Sequence, residues 1–468
     1  MSINNILSQV HLLSHIYVEG SILIVLLWIL IKKAASPGKS NRAESNETDL
    51  EKKINAWNPQ PLVSKRLTPS TSLANHVVES KVGKNVVLKG KSCINFATHN
   101  YYDFNNDKGI EKVIIDTVHK YGVGSCGPRA FYGTIDIHLE LEERIAKFMC
   151  MEDAVLYSYG FSTVTSAIQA YIKSKDIVFV DEEVNFAIQQ GLQPTKATVI
   201  YFKHNSPDDL ERLIIENEKK GNMGKKNKPR KAFLIVEGIY INTGKICNLP
   251  RLIDIRIKHK IRIFIDETIS IGILGAKGRG VTEHFNIPKN EVDLIIGSLE
   301  TSLAAGGGFC VGSRFVINHQ RLSGLGYCFS ASAPPLLSAA AIQALDRIDK
   351  NPNMLMELRE CSIKIHKTIA NSSLMSYFTL RADEISPVKH LYLKDDFLMH
   401  IEQQECLQNI VNYCISKGVA LIVASYLDYK ERKTPKPSIR LLASTTVTDE
   451  NINLLKTVLL DAAKTYIS

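Results

Sequence analysis

The stretch DLIIGSLETSLAAGGGFCVG, residues 293–312, contains the pattern that decides the fold. It holds the short apolar run DLIIGS (293–298) and begins a second, FCVGS (309–313), with three glycines before it. Continuous Val, Ile, Leu and Phe without polar alternation are typical of strands buried on both faces of a sheet. Five similar runs lie upstream: AVLY (154–157), IVFVD (177–181), TVIYFK (198–203), FLIVEG (233–238) and IRIFID (261–266).

Helical patterns separate several of these runs. They cover Phe161 to Lys173 and Pro207 to Lys220, and an amphipathic helix over Ile137 to Met149 precedes the first run. Strands that alternate with helices indicate parallel pairing through right-handed crossovers. The sequence therefore predicts an α/β fold with a mostly parallel sheet of seven strands.

The pattern changes after Pro334 and Pro335, where an alanine-rich helix (Leu336 to Ile348) begins. Beyond it we predict strands at FLMHIEQ (397–403), VALIVAS (419–425) and SIRLLAS (438–444), and helices at Cys406 to Lys417 and Glu450 to Ile467. This mixture predicts a smaller α+β domain. We divide the chain into a membrane anchor (1–33), a linker and N-terminal arm (34–95), a large domain (96–335) and a C-terminal small domain (336–468).

The N-terminal apolar segment IYVEGSILIVLLWILI, residues 16–31, predicts a membrane helix. Extended back to Val10, it has about the ~20 residues that a span requires. Trp28 and the pair Lys32-Lys33 resemble interface anchors, and the following basic residues place the main body in the cytosol. Polar residues in the first half leave shallow insertion open, and a buried helix of the body is a further alternative.

Charge and cysteine content exclude some functions. The formal net charge is +9, and part of it lies in the run 219–231, which we interpret as a disordered surface loop or, alternatively, a membrane-facing basic patch. No nucleic-acid-binding signature occurs, so no nucleic-acid partner is expected. The nine cysteines form neither a CxxC pair nor a zinc-type cluster, which predicts a reducing compartment and no metal site.

Two features mark where a ligand site belongs. Asp266 ends the run IRIFID, and ligands of open parallel sheets lie at the carboxyl ends of strands. A buried carboxylate there needs a partner, although capping of the next turn is the simpler interpretation. The loop YGVGSCGPRAFYG (121–133) is rich in glycine and aromatic residues, so its backbone can approach a ligand closely.

Three segments together resemble the α-oxoamine synthase family, whose pyridoxal-phosphate enzymes condense an amino acid with an acyl-CoA. The resemblance rests on residues 121–149, 263–285 and 293–313, the last continued by YCFSASAPP (327–335). It implies the pyridoxal-phosphate transferase fold type I. It also implies a dimer with active sites between the subunits.

The departures from the catalytic members concern the cofactor. Active members have the motif T-F-T-K-S, whose lysine forms the Schiff base, and this chain reads SLETS with Thr301 at the lysine. No lysine occurs between Lys289 and Lys350. A hydroxyl cannot replace the amine. The resemblance therefore implies no catalytic residue on this chain.

Two further positions differ. In D-E-A-H-S, Asp266 is kept and the histidine has become Ile269. The motif N-H-A-S, whose histidine stacks on the cofactor, corresponds to residues 184–187, and we expect the stacking ring to be lost around Asn185. Asp266, Asn185 and Ile269 are thus predicted vestiges of a cofactor site. Arg440 matches a carboxylate-binding arginine and is expected to be structural here.

These losses imply a heterodimer in which a catalytic long-chain-base subunit binds pyridoxal phosphate, with none bound by this chain alone. The partner would condense L-serine with palmitoyl-CoA, giving CoA, carbon dioxide and 3-oxosphinganine. This chain would stabilise the partner, anchor it to the endoplasmic reticulum membrane together with small activating subunits and regulatory membrane proteins, and complete one wall of its site. The wall candidates are Cys126, Arg129, Phe131, Tyr132, Ser330 and Ser332.

Two alternatives remain open. One is an active homodimeric pyridoxal-phosphate acyltransferase that uses another lysine. The other is a membrane scaffold protein unrelated to sphingolipid synthesis.

Overall fold

The computed structural model describes residues 20–32, 47–59, 62, 76–225, 228–394, 399–427 and 430–467. The chain forms two units, residues 1–73 and 74–468. The described part of the first unit contains two helices, α1 (residues 20–32) and α2 (Glu47–Ala56).

The predicted membrane-spanning helix is not supported. Among the described residues, no helix is both long enough and apolar enough to cross a membrane. The described residues of α1, 20–32, are fewer than the ~20 that a span needs. Residues 10–19 of the prediction lie outside the described residues.

The second unit is built from sixteen strands and thirteen helices among its described residues. The strands are β1 (Asn85–Leu88), β2 (Lys91–Asn95), β3 (Asp153–Tyr157), β4 (Ile177–Asp181), β5 (Thr198–Phe202), β6 (Gly224–Lys225), β7 (Lys228–Pro229), β8 (Ala232–Glu237), β9 (Arg262–Asp266), β10 (Leu294–Ser298), β11 (Gly308–Gly312), β12 (Phe378–Arg381), β13 (Val388–Leu393), β14 (Val419–Ala420), β15 (Ile422–Val423) and β16 (Ser438–Leu442). The helices are α3 (Lys108–Tyr121), α4 (Asp136–Met149), α5 (Gly160–Tyr171), α6 (Phe186–Leu192), α7 (Pro207–Lys219), α8 (Leu249–His259), α9 (Val281–His284), α10 (Arg314–Ser323), α11 (Leu325–Cys328), α12 (Pro335–Lys350), α13 (Asn353–Ala370), α14 (His400–Ser416) and α15 (Asp449–Tyr466). Short 3-10 turns add Phe104–Asn106, Gln193–Thr195, Lys289–Glu291 and Ser373–Ser376.

The central sheet confirms the predicted seven-stranded, mostly parallel architecture. Its strand order is β3-β11-β10-β9-β8-β4-β5, and all seven apolar runs form these strands. Only β11 runs antiparallel to its two neighbours, β10 and β3. Every residue of β4, β8, β10 and β11 is buried, because helices cover both faces.

The C-terminal region differs in part from the prediction. SIRLLAS contains β16 as expected, whereas VALIVAS divides into β14 and β15, which belong to different sheets. The described part of FLMHIEQ, residues 399–403, is not a strand, because α14 begins at His400 and buries Leu407, Ile410, Val411 and Cys414 at helical spacing. Residues 397–398 lie outside the described residues. The prediction missed β12 and β13, which join β16 and β15 in an antiparallel sheet of order β12-β13-β16-β15.

Two other segments are more ordered than expected. In the N-terminal arm, β1 pairs with β2, and β2 pairs in parallel with β14 from the C-terminal region. In the basic run, the described residues form a two-stranded hairpin of β6 and β7, and residues 226–227 lie outside the described residues. The division between large and small domains at residue 335 stays a prediction.

Candidate functional site

Three acidic residues end neighbouring strands at the carboxyl edge of the central sheet. They are Asp181 on β4, Glu237 on β8 and Asp266 on β9, each at most 2% exposed. Asp181 has a close partner, since His204 Nδ1 lies 2.9 Å from its Oδ1. Glu237 and Asp266 are register partners on adjacent strands, and neither forms an ion pair with the described residues. The predicted Asp266 is therefore part of a carboxyl pair without a cation.

Neutral donors hold this pair. Oδ2 of Asp266 accepts a hydrogen bond from Asn185 Nδ2 at 2.8 Å, and Oδ1 accepts one from the backbone amide of Thr268 at 2.9 Å. Burial raises the pKa of Asp266, and these hydrogen bonds oppose the increase. Burial, followed by the nearby charge of Asp266, raises the pKa of Glu237 well above its usual range.

Asn185 connects both carboxyl groups to the start of α6. Its backbone amide donates to Glu237 Oε1 at 2.6 Å, and its side-chain oxygen accepts from the amide of Ile188 at 3.1 Å as the N-cap of α6. The side chain of Asn185 therefore has a structural role on both of its polar atoms.

Thr301, at the position of the family's lysine, is 7% exposed. Its hydroxyl donates a hydrogen bond to the carbonyl oxygen of Thr268 at 2.7 Å. Ile269, in the same turn, is 2% exposed and belongs to the hydrophobic core. The turn after β9 and the loop after β10 are thus joined by a contact in which no amine takes part.

Glu300, which the sequence reasoning did not single out, lies at the N-terminus of α5. Its Oε1 accepts a hydrogen bond from the backbone amide of Gly160 at 2.7 Å, and the N-cap residue Tyr159 provides no side-chain cap. A Cβ at position 160 would lie 2.8 Å from Glu300 Oε2, so a larger residue there would displace the carboxylate from this close approach. Helix N-termini bind anions, and here the anion is the chain's own carboxylate.

A signal for Glu300 was present in the sequence. SLETS has an acid immediately before Thr301, where the active motif T-F-T-K-S has an uncharged threonine. The partner of Glu300 could not be identified from the sequence, because Gly160 lies 140 residues away in the chain.

The structure brings the two predicted wall segments together. Pro128 and Ala331 form a β-bridge, and the amide of Ser332 donates to the carbonyl oxygen of Gly127 at 2.9 Å. The Ser332 hydroxyl also bonds the carbonyl oxygen of Gly133. A Cβ on Gly133 would meet Gly127 O at 1.9 Å, so only glycine fits at this crossing.

The six wall candidates divide into anchors and exposed residues. Arg129 is an anchor, since it forms an ion pair with Glu142 at 3.0 Å in which the two side chains are 4% and 6% exposed. Ser332 is also buried, and Ser330 is partly buried. Cys126 is exposed, and Phe131 and Tyr132 are 61% and 104% exposed. The anchors thus hold a loop that presents two aromatic rings to solvent.

This loop adjoins the N-terminus of α5. The hydroxyl of Ser158, two residues before Gly160, donates to the carbonyl oxygen of Ala331. The exposed loop, the segment around Ala331 and the Glu300–Gly160 contact therefore form one continuous region at the carboxyl edge of the sheet.

Arg440 lies on β16 near Tyr101 and Tyr426. It forms no ion pair with residues in the described part of the chain, and its buried Nε has no hydrogen-bond partner there. Burial lowers the pKa of its guanidinium. Its predicted structural role stays a prediction.

Comparison with known proteins now identifies the family. The profile of the aminotransferase class I and II family matches residues 91–452. Serine palmitoyltransferase 1 of Dictyostelium discoideum is 36% identical over 446 residues, which cover 94% of this chain and 91% of that protein. Long chain base biosynthesis protein 1 of Arabidopsis thaliana is 36% identical over 449 residues, which cover 94% and 89%. The chain belongs to the serine palmitoyltransferase subunit 1 family. This family membership confirms the resemblance seen in the sequence.

Solved structures show the same fold. A serine palmitoyltransferase from S. paucimobilis with a bound PLP–myriocin aldimine has a TM-score of 0.75 and 21% identity, covering 90% of this chain and 98% of that chain. A Sphingomonas wittichii serine palmitoyltransferase has a TM-score of 0.74 and 20% identity, covering 91% and 98%. The fold is therefore that of the pyridoxal-phosphate transferases of fold type I.

The residues of this chain do not fit pyridoxal phosphate, the cofactor implied by the family. Thr301 offers no amine and its hydroxyl already donates to Thr268. A phosphate at the N-terminus of α5 would meet the carboxylate of Glu300. Both oxygens of Asp266 accept from neutral donors. These residues therefore provide no Schiff-base lysine and no free phosphate site for the cofactor.

The expected loss of the stacking ring around Asn185 stays a prediction. In the structure the Asn185 side chain bonds Asp266 and caps α6. The next residue, Phe186, is aromatic, and its ring centroid lies 6.1 Å from that of Phe161.

Proposed function

We propose that this chain is the non-catalytic subunit of a serine palmitoyltransferase heterodimer. The observation that carries the proposal is the hydrogen bond from the Gly160 amide to Glu300, next to a threonine in place of the lysine. The partner subunit binds pyridoxal phosphate and condenses L-serine with palmitoyl-CoA to 3-oxosphinganine. The names of the relatives support the reaction, and the residues at the carboxyl edge support its assignment to the partner.

In this proposal the chain completes one wall of the partner's site. The exposed rings of Phe131 and Tyr132 pack against the partner, where they exclude water from its substrates. The buried Arg129–Glu142 ion pair fixes the loop that carries them. Aromatic residues on a fixed loop are common anchors of protein interfaces, because they bury a large area at a small cost in conformational entropy.

We also propose that the chain attaches the complex to the endoplasmic reticulum membrane, with small activating subunits and regulatory membrane proteins as further partners and the main body in the cytosol. The support is α1, whose side chains from Ile22 to Ile31 are all at least 48% exposed. Trp28 lies under the ammonium group of Lys32, 4.7 Å from the ring centroid, as in an interfacial anchor. Replacing Leu26 and Leu27 by Glu should release the complex from microsomes, as measured by sedimentation; unchanged sedimentation would refute attachment through α1.

Co-expression tests the subunit assignment. Three expressions are compared: this chain alone, the lysine-bearing homologue alone, and the two together. In each, the incorporation of labelled serine into long-chain base is measured. We expect product only when both chains are present, and they should co-purify. Product and a lysine-bound aldimine absorption from this chain alone would instead indicate an active homodimer. Co-purification without any lysine-bearing homologue would indicate a scaffold.

A second experiment tests the wall. Phe131→Ala and Tyr132→Ala should each lower turnover by the co-expressed pair or weaken its assembly. For the double variant we expect an effect of tenfold or more, because interface aromatic residues usually contribute about 2 kcal/mol. Leu322→Ala is the matched control, since Leu322 is 84% exposed on α10 outside this loop. Equal behaviour of the loop variants and the control would remove Phe131 and Tyr132 from the proposed wall.

A further inference from the structure

A cavity lies at the opposite edge of the central sheet from Asp266 and Thr301. It has a volume of 760 Å³, within the range of about 300–1,000 Å³ that is usual for small-molecule sites. The first residues of β8 and β9, the residues before β10, the end of α5 and the start of α10 line it. It is therefore separate from the site of the proposed function.

The floor of this cavity is aromatic. Phe264 lies between Tyr171 and Phe233, and the ring centroids are 5.4 Å apart in each pair. The ring planes are inclined by 72° to Tyr171 and by 61° to Phe233. Val292 and Val316 extend the apolar surface, and Phe315 at the rim is 85% exposed. Apolar surface of this extent is favourable for a hydrocarbon chain, because it removes methylene groups from water.

Cationic side chains outnumber acidic ones around the cavity. The cationic residues are Lys173, Lys231, Arg262 and Lys289, and the acidic ones are Glu152 and Asp293. Arg262 neutralises Asp293 at 2.6 Å, and Glu152 accepts the backbone amide of Arg314 at 2.9 Å. None of the three lysines forms an ion pair with the described residues, so the lining keeps an excess of positive charge.

Lys289 is the most enclosed of these lysines. Its Nζ donates to the hydroxyl of Thr282 at 2.6 Å. Burial lowers its pKa, while Glu267, Cys150 and Glu283 act in the opposite direction and Arg279 adds to the decrease. An ammonium group that is partly desolvated and lacks a carboxylate partner gains from an anionic ligand.

From this arrangement we infer that the cavity binds a single long acyl chain that ends in an anionic group. The chain lies over the aromatic floor, and the anionic group faces Lys231 and Lys289. Charge complementarity excludes cationic amphiphiles such as a long-chain amine. Both a free fatty acid and an acyl-CoA have the required chemistry.

Equilibrium dialysis of the full chain against radiolabelled palmitate tests this inference. We expect saturable palmitate binding that hexadecylamine does not displace. The double variant Lys231→Gln with Lys289→Gln should bind palmitate about tenfold more weakly. Val316→Trp, which narrows the cavity over its aromatic floor, should weaken binding. Phe315→Glu, at an exposed position that does not endanger folding, should weaken it. Displacement by palmitoyl-CoA as strong as by palmitate would support the thioester as ligand, and weaker displacement the free acid.

The controls are Phe329→Ala and Lys367→Gln, two exposed side chains away from the cavity, which should leave palmitate binding unchanged. Absence of saturable binding would overturn the inference. So would equal displacement by hexadecylamine, or equal binding by wild type and Phe315→Glu. Because the variants alter only this cavity, their failure would leave the subunit assignment untouched.

Discussion

Oε1 of Glu300 accepts a hydrogen bond from the backbone amide of Gly160 at 2.7 Å, so a carboxylate of this chain occupies the N-terminus of α5. In an open α/β sheet such a helix N-terminus is where an anionic ligand group binds. The residue after Glu300 is Thr301, which lacks the amine needed for a Schiff base. Threonine at position 301 removes the covalent link to the cofactor, and the neighbouring Glu300 carboxylate repels the cofactor's phosphate.

Removing the Glu300 carboxylate should destabilise the chain. For Glu300→Ala we expect a loss of about 0.5–2 kcal/mol in the free energy of unfolding, because the N-terminus of α5 loses both its acceptor and its charge. Glu300→Gln should lose less. Inorganic phosphate should raise the unfolding midpoint of Glu300→Ala and not that of wild type. Glu357→Gln, exposed on α13, is the control; an Ala variant as stable as this control would contradict the role of Glu300.

Restoring the lysine alone should not restore cofactor binding. Thr301→Lys places an amine in the loop, but Glu300 still opposes the phosphate and Ile269 still replaces the histidine. We expect no visible absorption from a lysine-bound aldimine when the purified variant is incubated with pyridoxal phosphate. The comparison is the double variant Glu300→Thr with Thr301→Lys, in which we expect any gain in aldimine absorption to appear first. A stable aldimine in the single variant would show that Glu300 is no barrier.

The carboxyl pair should make stability depend on pH. Burial raises the folded-state pKa of Glu237 above its ordinary value of 4.5, so above that pH the native carboxyl retains a proton that the unfolded chain has lost. Its contribution to stability therefore decreases as the pH rises from 4.5 towards the folded-state pKa, by at most about 1.4 kcal/mol per pH unit.

Glu237→Gln removes this contribution, so the free energy of unfolding should fall less steeply with pH in the variant. Denaturant unfolding between about pH 5 and about pH 8 measures the slope. Asp266, whose pKa is also raised by burial, keeps its own contribution of the same sign. A slope identical to that of wild type would mean that Glu237 is ionised in the native protein at these pH values.

Breaking the buried Arg129–Glu142 pair should be costly. Arg129→Met leaves the buried Glu142 with only the more distant Arg321, whose Nη2 lies 3.9 Å from it, and we expect a loss of up to about 3–5 kcal/mol in thermal or denaturant unfolding. The double variant with Glu142→Leu should recover much of it. Arg144→Met, which breaks a more exposed pair with Asp346, should cost only about 0.2–1 kcal/mol. Similar losses for the two single variants would contradict the anchoring role of Arg129.

Much of the fold was predictable because its signal is local. Each of the seven runs of the central sheet is predominantly apolar, and each is flanked by a helical pattern or a glycine turn. The segment FLMHIEQ was assigned wrongly because the signal that decides its structure is not local. Its few residues alternate like a strand, whereas the helical spacing of α14 appears only over a longer window.

The candidate site was predictable only in part. Thr301, Asp266 and the Phe131–Tyr132 loop could be found from motif and composition. Glu300 could not be assigned a role, because its partner Gly160 reaches it only after β3 and β10 have been placed in one sheet. The large cavity at the other edge is equally hidden, since its lining comes from strands and helices distant in the chain.

By itself, the sequence determined that this chain has a mostly parallel α/β sheet and no lysine at the Schiff-base position, because apolar runs and the absence of an amine are properties of the chain alone. The tertiary structure decided what replaces the cofactor's contacts. Asn185 donates to Asp266, Thr301 to Thr268, and the Gly160 amide to Glu300. Such contacts join residues far apart in sequence, and their geometry exists only once the sheet has formed.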